Sequence, residues 1–267
     1  MKILAVKKDR NRYLVVFDNE KELAITEDIL VSNCLLKGKE ISDETFVDLK
    51  KESFISWGEQ LAYSYLDRML RTEKEVRDYL RNHEIEVEFV DIILDKLRIL
   101  QLVDDKVYAE SYVRTQVRLN EKGPQKIQQY LSKKGVTKEF IEQALHMNFP
   151  EDLQEENVKK MADKLAKKYQ KLSNKELLQK IRQRLTNKGF SFEMAAVGVE
   201  SLFLEMNEDA EWESLKRQGQ KICRQFSEVT TYQVQQKIKK RLYQKGFSLD
   251  KIGEFLETLR LQSDNRF

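Results

Sequence analysis

The chain of 267 residues, with a mass of 31.7 kDa, is 35% charged and 40% apolar but holds only 9 glycines and 2 prolines, where average usage gives roughly 19 and 13. So few turn-forming residues exclude a mostly β fold, and this mixture of charge and apolar content excludes both a disordered chain and a single large core. Two isolated cysteines, two histidines, no secretory leader and no apolar run of about 20 residues predict a cytoplasmic protein without disulfides, bound metal or membrane span.

The first 56 residues differ from the rest of the chain. Short β-branched and aromatic runs at residues 2–6, 13–17 and 22–25 are separated by polar segments, which predicts two or three antiparallel strands. Helical segments follow, and Ser42 is placed to open one of them. Because an isolated hairpin is only marginally stable, we expect this unit to pack on those helices or on the first repeat.

From residue 57 onward the sequence repeats itself four times. Each copy has an isoleucine or valine four residues before a leucine, and the leucines are 51, 54 and 57 residues apart. These leucines are Leu80, Leu131, Leu185 and Leu242. Four residues later comes a glycine in three copies (Gly135, Gly189 and Gly246), then an apolar residue, a threonine or serine, and an acid. This order predicts a helix that ends on a left-handed glycine, followed by a capped helix. Glu84 replaces the glycine in the first copy, which predicts a longer or more strained turn.

Another amphipathic stretch precedes each of these helices, so each repeat contains three helices. The middle helix is opened by Thr72 and Glu75 in repeat one, by Gly123–Pro124 in repeat two, and by Ser173 and Glu176 in repeat three. We therefore predict a mostly α fold of tandem three-helix bundles in an elongated, curved body, with a small β-containing segment before it. The predicted parts are residues 1–56, 57–104, 105–150, 157–207 and 211–261.

No catalytic signature is present in the sequence. Glycine-rich phosphate loops, a zinc-protease helix and a nucleophile elbow are all missing. The carboxylate pair Asp104–Asp105 stands where a helix N-cap is expected, and His83 and His146 fall near helix ends, where a cation suits the helix dipole. We expect no enzymatic activity, no catalytic residue, no cofactor and no metal site.

Positive charge is concentrated in the second half of the chain. Residues 157–267 contain 23 basic and 14 acidic side chains, although the net charge of the whole chain is only +3. The predicted middle helices of repeats three and four lie in residues 177–192 and 229–249, which contain no acid. Such a basic face is either merely solvated or contacts phosphates or an acidic protein surface. Recurrence from repeat to repeat favours a long polymeric partner.

The text of repeat two resembles the RecX family. Residues 102–114 read LVDDxxYAxxYVR, residues 123–136 read GPxKIxxxLxxKGV, and repeat one adds TExEVRxxL at residues 72–80. The likeness runs from about Trp57 to Leu204 and is weaker on either side. Two features depart from the minimal family pattern, namely a fourth three-helix unit and the N-terminal strand segment.

The resemblance implies a non-enzymatic regulator of the RecA recombinase, acting in DNA repair, homologous recombination and the SOS response. Such proteins lie in the groove of the RecA–DNA filament and damp its ATPase, strand-exchange and coprotease activities. The implied partners are therefore the RecA filament and single- or double-stranded DNA, and we expect a monomer that does not bind membranes. The alternatives are a direct DNA-binding protein of helix-turn-helix-like units and a general adaptor solenoid. The residues predicted to contact RecA or DNA are Arg77, Arg81, Arg114, Arg118, Lys122, Lys126, Lys180, Arg182, Arg184, Lys188, Lys237, Lys239, Lys240, Arg241 and Lys245.

Overall fold

The structure, a computed structural model, describes residues 1–203, 208–226, 228–229 and 231–264. Within these ranges thirteen helices follow a three-stranded sheet, which confirms the predicted mostly α fold with an N-terminal β segment. The first elements are β1 (Ile3–Asp9), β2 (Arg12–Phe17), β3 (Glu22–Ile25), α1 (Glu27–Ser32), α2 (Asp43–Leu66), α3 (Glu73–Asn82), α4 (Val87–Ile99), α5 (Asp105–Leu119) and α6 (Pro124–Lys133). The remaining elements are α7 (Lys138–Asn148), α8 (Glu151–Tyr169), α9 (Asn174–Asn187), α10 (Phe192–Phe203), α11 (Glu208–Cys223), α12 (Tyr232–Gln244) and α13 (Leu249–Asp264).

The helices follow one another in threes, as the repeats predict: α2–α4, α5–α7, α8–α10 and α11–α13. The chain divides into two compact units, residues 1–112 with 130–144 and residues 113–129 with 145–267. The first unit holds the sheet and the core of repeat one, and the second holds repeats three and four. The division into five parts stays a prediction.

The N-terminal sheet packs on the long helix α2. Its strands are antiparallel in the order β1-β2-β3, with Val15 opposite Val6 on one side and Leu23 on the other. Period-two alternation buries Val15 completely. Ser53 of α2 donates a hydrogen bond of 2.6 Å to the carbonyl oxygen of Ala24 in β3. The sheet therefore finds on α2 the support that the sequence demanded.

Helix α2 also crosses the predicted boundary at residues 56/57. It begins after Ser42, whose Oγ accepts a hydrogen bond from the backbone N–H of Thr45 at 3.1 Å, and continues to Leu66. Trp57, expected at a helix start, therefore lies within α2, half-buried against the core of repeat one. Residues 157 and 211, the predicted starts of repeats three and four, likewise fall inside α8 and α11, whereas residue 105 is the first of α5. The predicted end of repeat three at residue 207 lies outside the described residues.

The repeat signature has the predicted structure. All four repeat leucines are completely buried. Gly135, Gly189 and Gly246 have φ of +89°, +96° and +90°, the left-handed region that a residue with a Cβ enters at a cost of roughly 1–2 kcal/mol. Glu84 adopts φ +63° in the corresponding turn. Because the N–H of Ile85 still reaches back to the carbonyl of repeat one's leucine at 3.2 Å, this turn is strained rather than longer.

Each glycine turn is joined to the start of the preceding repeat's middle helix. The donor stands at the N-terminus of one middle helix, and the acceptor is the carbonyl just before the glycine of the next repeat. The three pairs are Thr72 Oγ1 with the Lys134 carbonyl at 2.7 Å, Gly123 N with the Lys188 carbonyl at 2.8 Å, and Ser173 Oγ with the Lys245 carbonyl. Thr72 and Ser173 also accept a hydrogen bond from their own helices. We call these contacts the repeat joints; the first lies in the first unit and the other two lie in the second.

Leu185→Ala should lower the free energy of unfolding by about 2–5 kcal/mol, because a completely buried leucine leaves a cavity when it is truncated. Urea unfolding followed by circular dichroism measures the change. Leu249→Ala is the control, since Leu249 is 49% exposed at the start of α13. A cost below about 0.5 kcal/mol for Leu185→Ala, the level usual for surface positions, would contradict the repeat register.

Candidate functional site

In repeat one the two predicted contact arginines differ in their surroundings. Arg77 on α3 lies 2.5 Å from Asp91 and 3.3 Å from Glu73, and Arg98 contacts the same Glu73 carboxylate at 2.6 Å. The hydrogen bond to Asp91 is the main cause that raises the pKa of Arg77 above its ordinary value. The side chain of Arg81 is exposed and makes no ion pair with any residue in the described part of the chain. Arg77 is therefore committed to an internal network, and Arg81 is open to a partner.

The candidates of repeat two lie around the α5–α6 connection. Arg114 and Arg118 are exposed on α5, Lys126 is exposed in the first turn of α6, and Lys122 before it is half-buried. Arg114 Nη1 lies 3.5 Å from the side-chain oxygen of Asn148. Arg118 lines a cleft between α5 and α8. Three of the four candidates are thus presented to solvent.

Helix α9 turns a basic surface away from its buried leucine. Its exposed candidates are Arg182, Arg184 and Lys188. Lys180 is half-buried, with Nζ 5.0 Å from the ring centroid of Tyr169. The guanidinium of Arg182 lies 5.6 Å from the ring centroid of Phe192, which is itself 63% exposed. Two of the four cations therefore lie beside aromatic rings.

Helix α12 repeats this arrangement. Its exposed candidates are Lys237, Lys240, Arg241 and Lys245, and Lys239 is half-buried. Arg241 donates a hydrogen bond of 2.7 Å to the side-chain oxygen of Gln225, and its guanidinium lies 5.2 Å from the ring centroid of Phe226. The opposite face is the buried stripe of Ile238 and the repeat leucine. The basic faces of α9 and α12 are therefore free of core packing.

A groove lies beside the second repeat joint, and we call it the Lys188 groove. It is lined by Asn120, Glu121, Met161, Lys164, Leu165, Lys168, Tyr169, Arg184 and Lys188. Its four cations come from α8 and from the end of α9, and its single acid is Glu121. The apolar side chains form part of its wall.

A second groove beside the third joint, which we call the Lys245 groove, has the same construction. It is lined by Lys171, Leu172, Arg217, Gln218, Lys221, Ile222, Gln225 and Lys245. Lys221, Ile222 and Lys245 each stand 57 residues after a residue of the Lys188 groove, the spacing of the leucines in these repeats. No carboxylate is among the residues that line it.

The carboxylate pair Asp104–Asp105 serves helix termini. Asp104 Oδ1 accepts hydrogen bonds from the backbone N–H of Lys106 at 2.8 Å and of Val107 at 3.0 Å, which confirms the predicted N-cap. Asp105 accepts a hydrogen bond of 2.9 Å from the backbone N–H of Glu73 at the start of α3. Burial raises the pKa of Asp105 above its ordinary value. Both carboxylates therefore stabilise the fold.

Two classes of site were searched among the described residues. They hold no group of three or more histidine, cysteine or acidic side chains that could bind a metal ion. No helix among them is long and apolar enough to cross a membrane. Both cysteines are free, Cys34 exposed and Cys223 buried.

The basic residues of the first helices in repeats three and four were missed by the sequence reasoning. Lys164 and Lys168 of α8, and Arg217 and Lys221 of α11, line the two grooves. Nearby acids such as Asp163 balance their local charge, so no acid-free window marks them. The signal that could have found them is the four-residue spacing of cations on one helix face.

Fold and surface together define a helical repeat protein that presents basic helices and basic grooves to solvent. Family models match each part of the repeat region: RecX, first three-helix domain, at residues 60–97; RecX, second three-helix domain, at 104–145; and RecX, third three-helix domain, at both 152–196 and 209–256. The chain belongs to the RecX family. The third-domain model matches twice, so the additional repeat is similar to the one before it.

Relatives and solved structures agree with this assignment. The chain is 36% identical to regulatory protein RecX of Enterococcus faecalis over 98% of both chains, and 37% identical to that of Levilactobacillus brevis over 96% of both. It is similar to a crystal structure of regulatory protein RecX, with a TM-score of 0.60 and 33% identity over 74% of this chain and 98% of the other. A crystal structure of RecX from Lactobacillus salivarius matches with a TM-score of 0.54 and 41% identity over 57% of this chain and 97% of the other.

Proposed function

We propose that this chain is a non-enzymatic regulator that binds the RecA–DNA filament in its groove and inhibits the ATPase, strand-exchange and coprotease activities of the recombinase. It acts in the cytoplasm as a monomer and touches DNA as well as RecA. Membership of a family whose relatives are named regulatory proteins supports a regulatory rather than a catalytic role.

The recurrence of an exposed basic face on α9 and α12 carries the proposal. Each face spans a stretch of sequence without an acid, and each lies opposite a fully buried isoleucine–leucine stripe. A single ion pair would need one cation, whereas a filament of protein and DNA offers negative charge at regular intervals. A surface repeated along the chain therefore suits a repeating partner.

The steady-state ATPase rate of the host recombinase on single-stranded DNA tests the proposal directly. We expect the rate to fall as the protein is added, and a rate that stays constant at saturating protein would refute it. The salt dependence of binding separates a filament regulator from a direct DNA-binding protein. The logarithm of a DNA binding constant falls by about 0.9 for each duplex phosphate contact per tenfold rise in salt. Binding to the filament should survive salt that abolishes binding to DNA alone.

A further inference from the structure

We propose that the Lys188 groove and the Lys245 groove are two equivalent binding sites for the sugar–phosphate backbone of a single-stranded nucleic acid. This deepens the proposed function and rests on it only in that Arg184, Lys188 and Lys245 belong to both surfaces. The remaining cations lie on the first helices α8 and α11 and on the α8–α9 connection, outside the acid-free windows.

The first argument is charge. Lys164, Lys168, Arg184 and Lys188 are all exposed in the Lys188 groove. None of these four side chains makes an ion pair within the described residues, although Glu121 lies in the same groove. Four uncompensated cations around one groove repel one another unless an anion is present. A phosphodiester backbone supplies that anion without requiring a particular base sequence.

The second argument is that the same arrangement recurs at the third joint. Lys171, Arg217, Lys221 and Lys245 are all exposed in the Lys245 groove and make no ion pair within the described part of the chain. In both grooves the backbone carbonyl of the terminal lysine is held by a joint hydrogen bond. The base of that side chain is therefore fixed while its ammonium group is free to bind.

The first joint shows what a neutralised version looks like. Its lysine, Lys134, forms an ion pair with Glu75, which is the third residue of α3. In α6 the third residue is Lys126, so Lys188 has no acid in this position. Glu176 takes the position in α9, yet Lys245 forms no ion pair in the described structure. Two of the three joints therefore leave their lysine available.

The third argument selects a single strand. Tyr169 is half-buried in the wall of the Lys188 groove, with the ammonium groups of Lys168 and Lys180 at 5.8 and 5.0 Å from its ring centroid. In repeat four Phe226 is half-buried beside the guanidinium of Arg241. Basic grooves bordered by aromatic rings bind single strands, whose bases are free to stack on the rings.

The test is the anisotropy of a labelled oligothymidylate titrated with the full chain. The variants are Lys164→Gln with Lys188→Gln, Lys221→Gln with Lys245→Gln, and all four together. Each double variant should bind roughly five- to twentyfold more weakly, and its salt slope should fall by about 0.7 per lost contact. The control, Lys51→Gln with Lys106→Gln, removes two exposed cations from elsewhere and should bind like the wild type. Wild-type affinity in the quadruple variant, or an equal loss in the control, would overturn the proposal.

A second variant tests the choice of a single strand. Tyr169→Leu should weaken binding of the oligothymidylate by about fivefold or more while leaving its salt slope unchanged, because a stacking ring contributes no charge. Binding to a duplex of the same length should not change. If the variant binds both nucleic acids like the wild type, stacking is wrong. Failure of the groove proposal appears as normal oligonucleotide binding by the quadruple variant, whereas failure of the proposed function appears as an unchanged recombinase ATPase with the wild-type protein.

Discussion

Gly189→Ala should destabilise the protein by about 3–6 kcal/mol. The left-handed backbone, with φ of +96°, costs a residue with Cβ about 1–2 kcal/mol. The new Cβ would lie 2.6 Å from the backbone nitrogen of Lys126, and overpacking against a rigid neighbour adds about 1–3 kcal/mol. Moving the turn away would weaken the joint hydrogen bonds of Gly123 and Gln125, each of which contributes about 0.5–1.5 kcal/mol.

Gly38→Ala is the matched control for this prediction. Gly38 has φ of +91°, but no heavy atom lies within 4 Å of the position its Cβ would take. It should therefore show the backbone cost alone, about 1–2 kcal/mol. Chemical unfolding of both variants measures the difference, which is the contribution of the joint. Equal costs for the two variants would mean that the second joint adds nothing to stability.

The turns were predictable from sequence because their causes are local. The spacing from Leu185 to Gly189, followed by an apolar residue and Ser191, describes a helix end and the next helix start within seven residues. The observed φ and the hydrogen bond of 3.1 Å from the Met194 N–H to Ser191 Oγ follow from that pattern. Local backbone chemistry therefore determines these elements.

The joints were not predictable because they connect distant parts of the chain. Thr72 and the Lys134 carbonyl are 62 residues apart, and Ser173 and the Lys245 carbonyl are 72 apart. The sequence identifies Thr72 and Ser173 as N-caps, which they are, but an N-cap pattern says nothing about a second acceptor. The hydroxyl has both a donor and an acceptor function, and the fold uses both.

The candidate contact residues were predictable as a set but not individually. An acid-free window indicates a basic helix, whereas the neighbours of each cation come from other helices. Arg77 is neutralised by Asp91 of α4, and Lys180 lies over Tyr169 of α8. The sequence pattern also favours middle helices, because the first helices mix acids and bases. The grooves therefore required the packing of three segments.

The second large effect is expected from the basic face of α12. Changing Lys237, Lys239, Lys240 and Arg241 together to alanine should abolish most of the inhibition of the recombinase ATPase. Exposed cations contribute only about 0–1 kcal/mol each to stability, so folding should be nearly intact. Arg241 is the exception, since it contacts Gln225 and Phe226. A triple variant that retains Arg241 separates this local packing from the loss of charge.

A charge-matched control decides whether the position of these cations matters. It replaces four exposed lysines outside both acid-free windows, namely Lys7, Lys37, Lys51 and Lys106. Both variants lower the net charge by the same amount, so a general electrostatic attraction would weaken both equally. If α12 contacts the filament, inhibition falls in the α12 variant and persists in the control. If the α12 variant folds and inhibits like the wild type, its basic face is only solvated. The exposed arginines Arg81, Arg114 and Arg118 would then be the residues to change next.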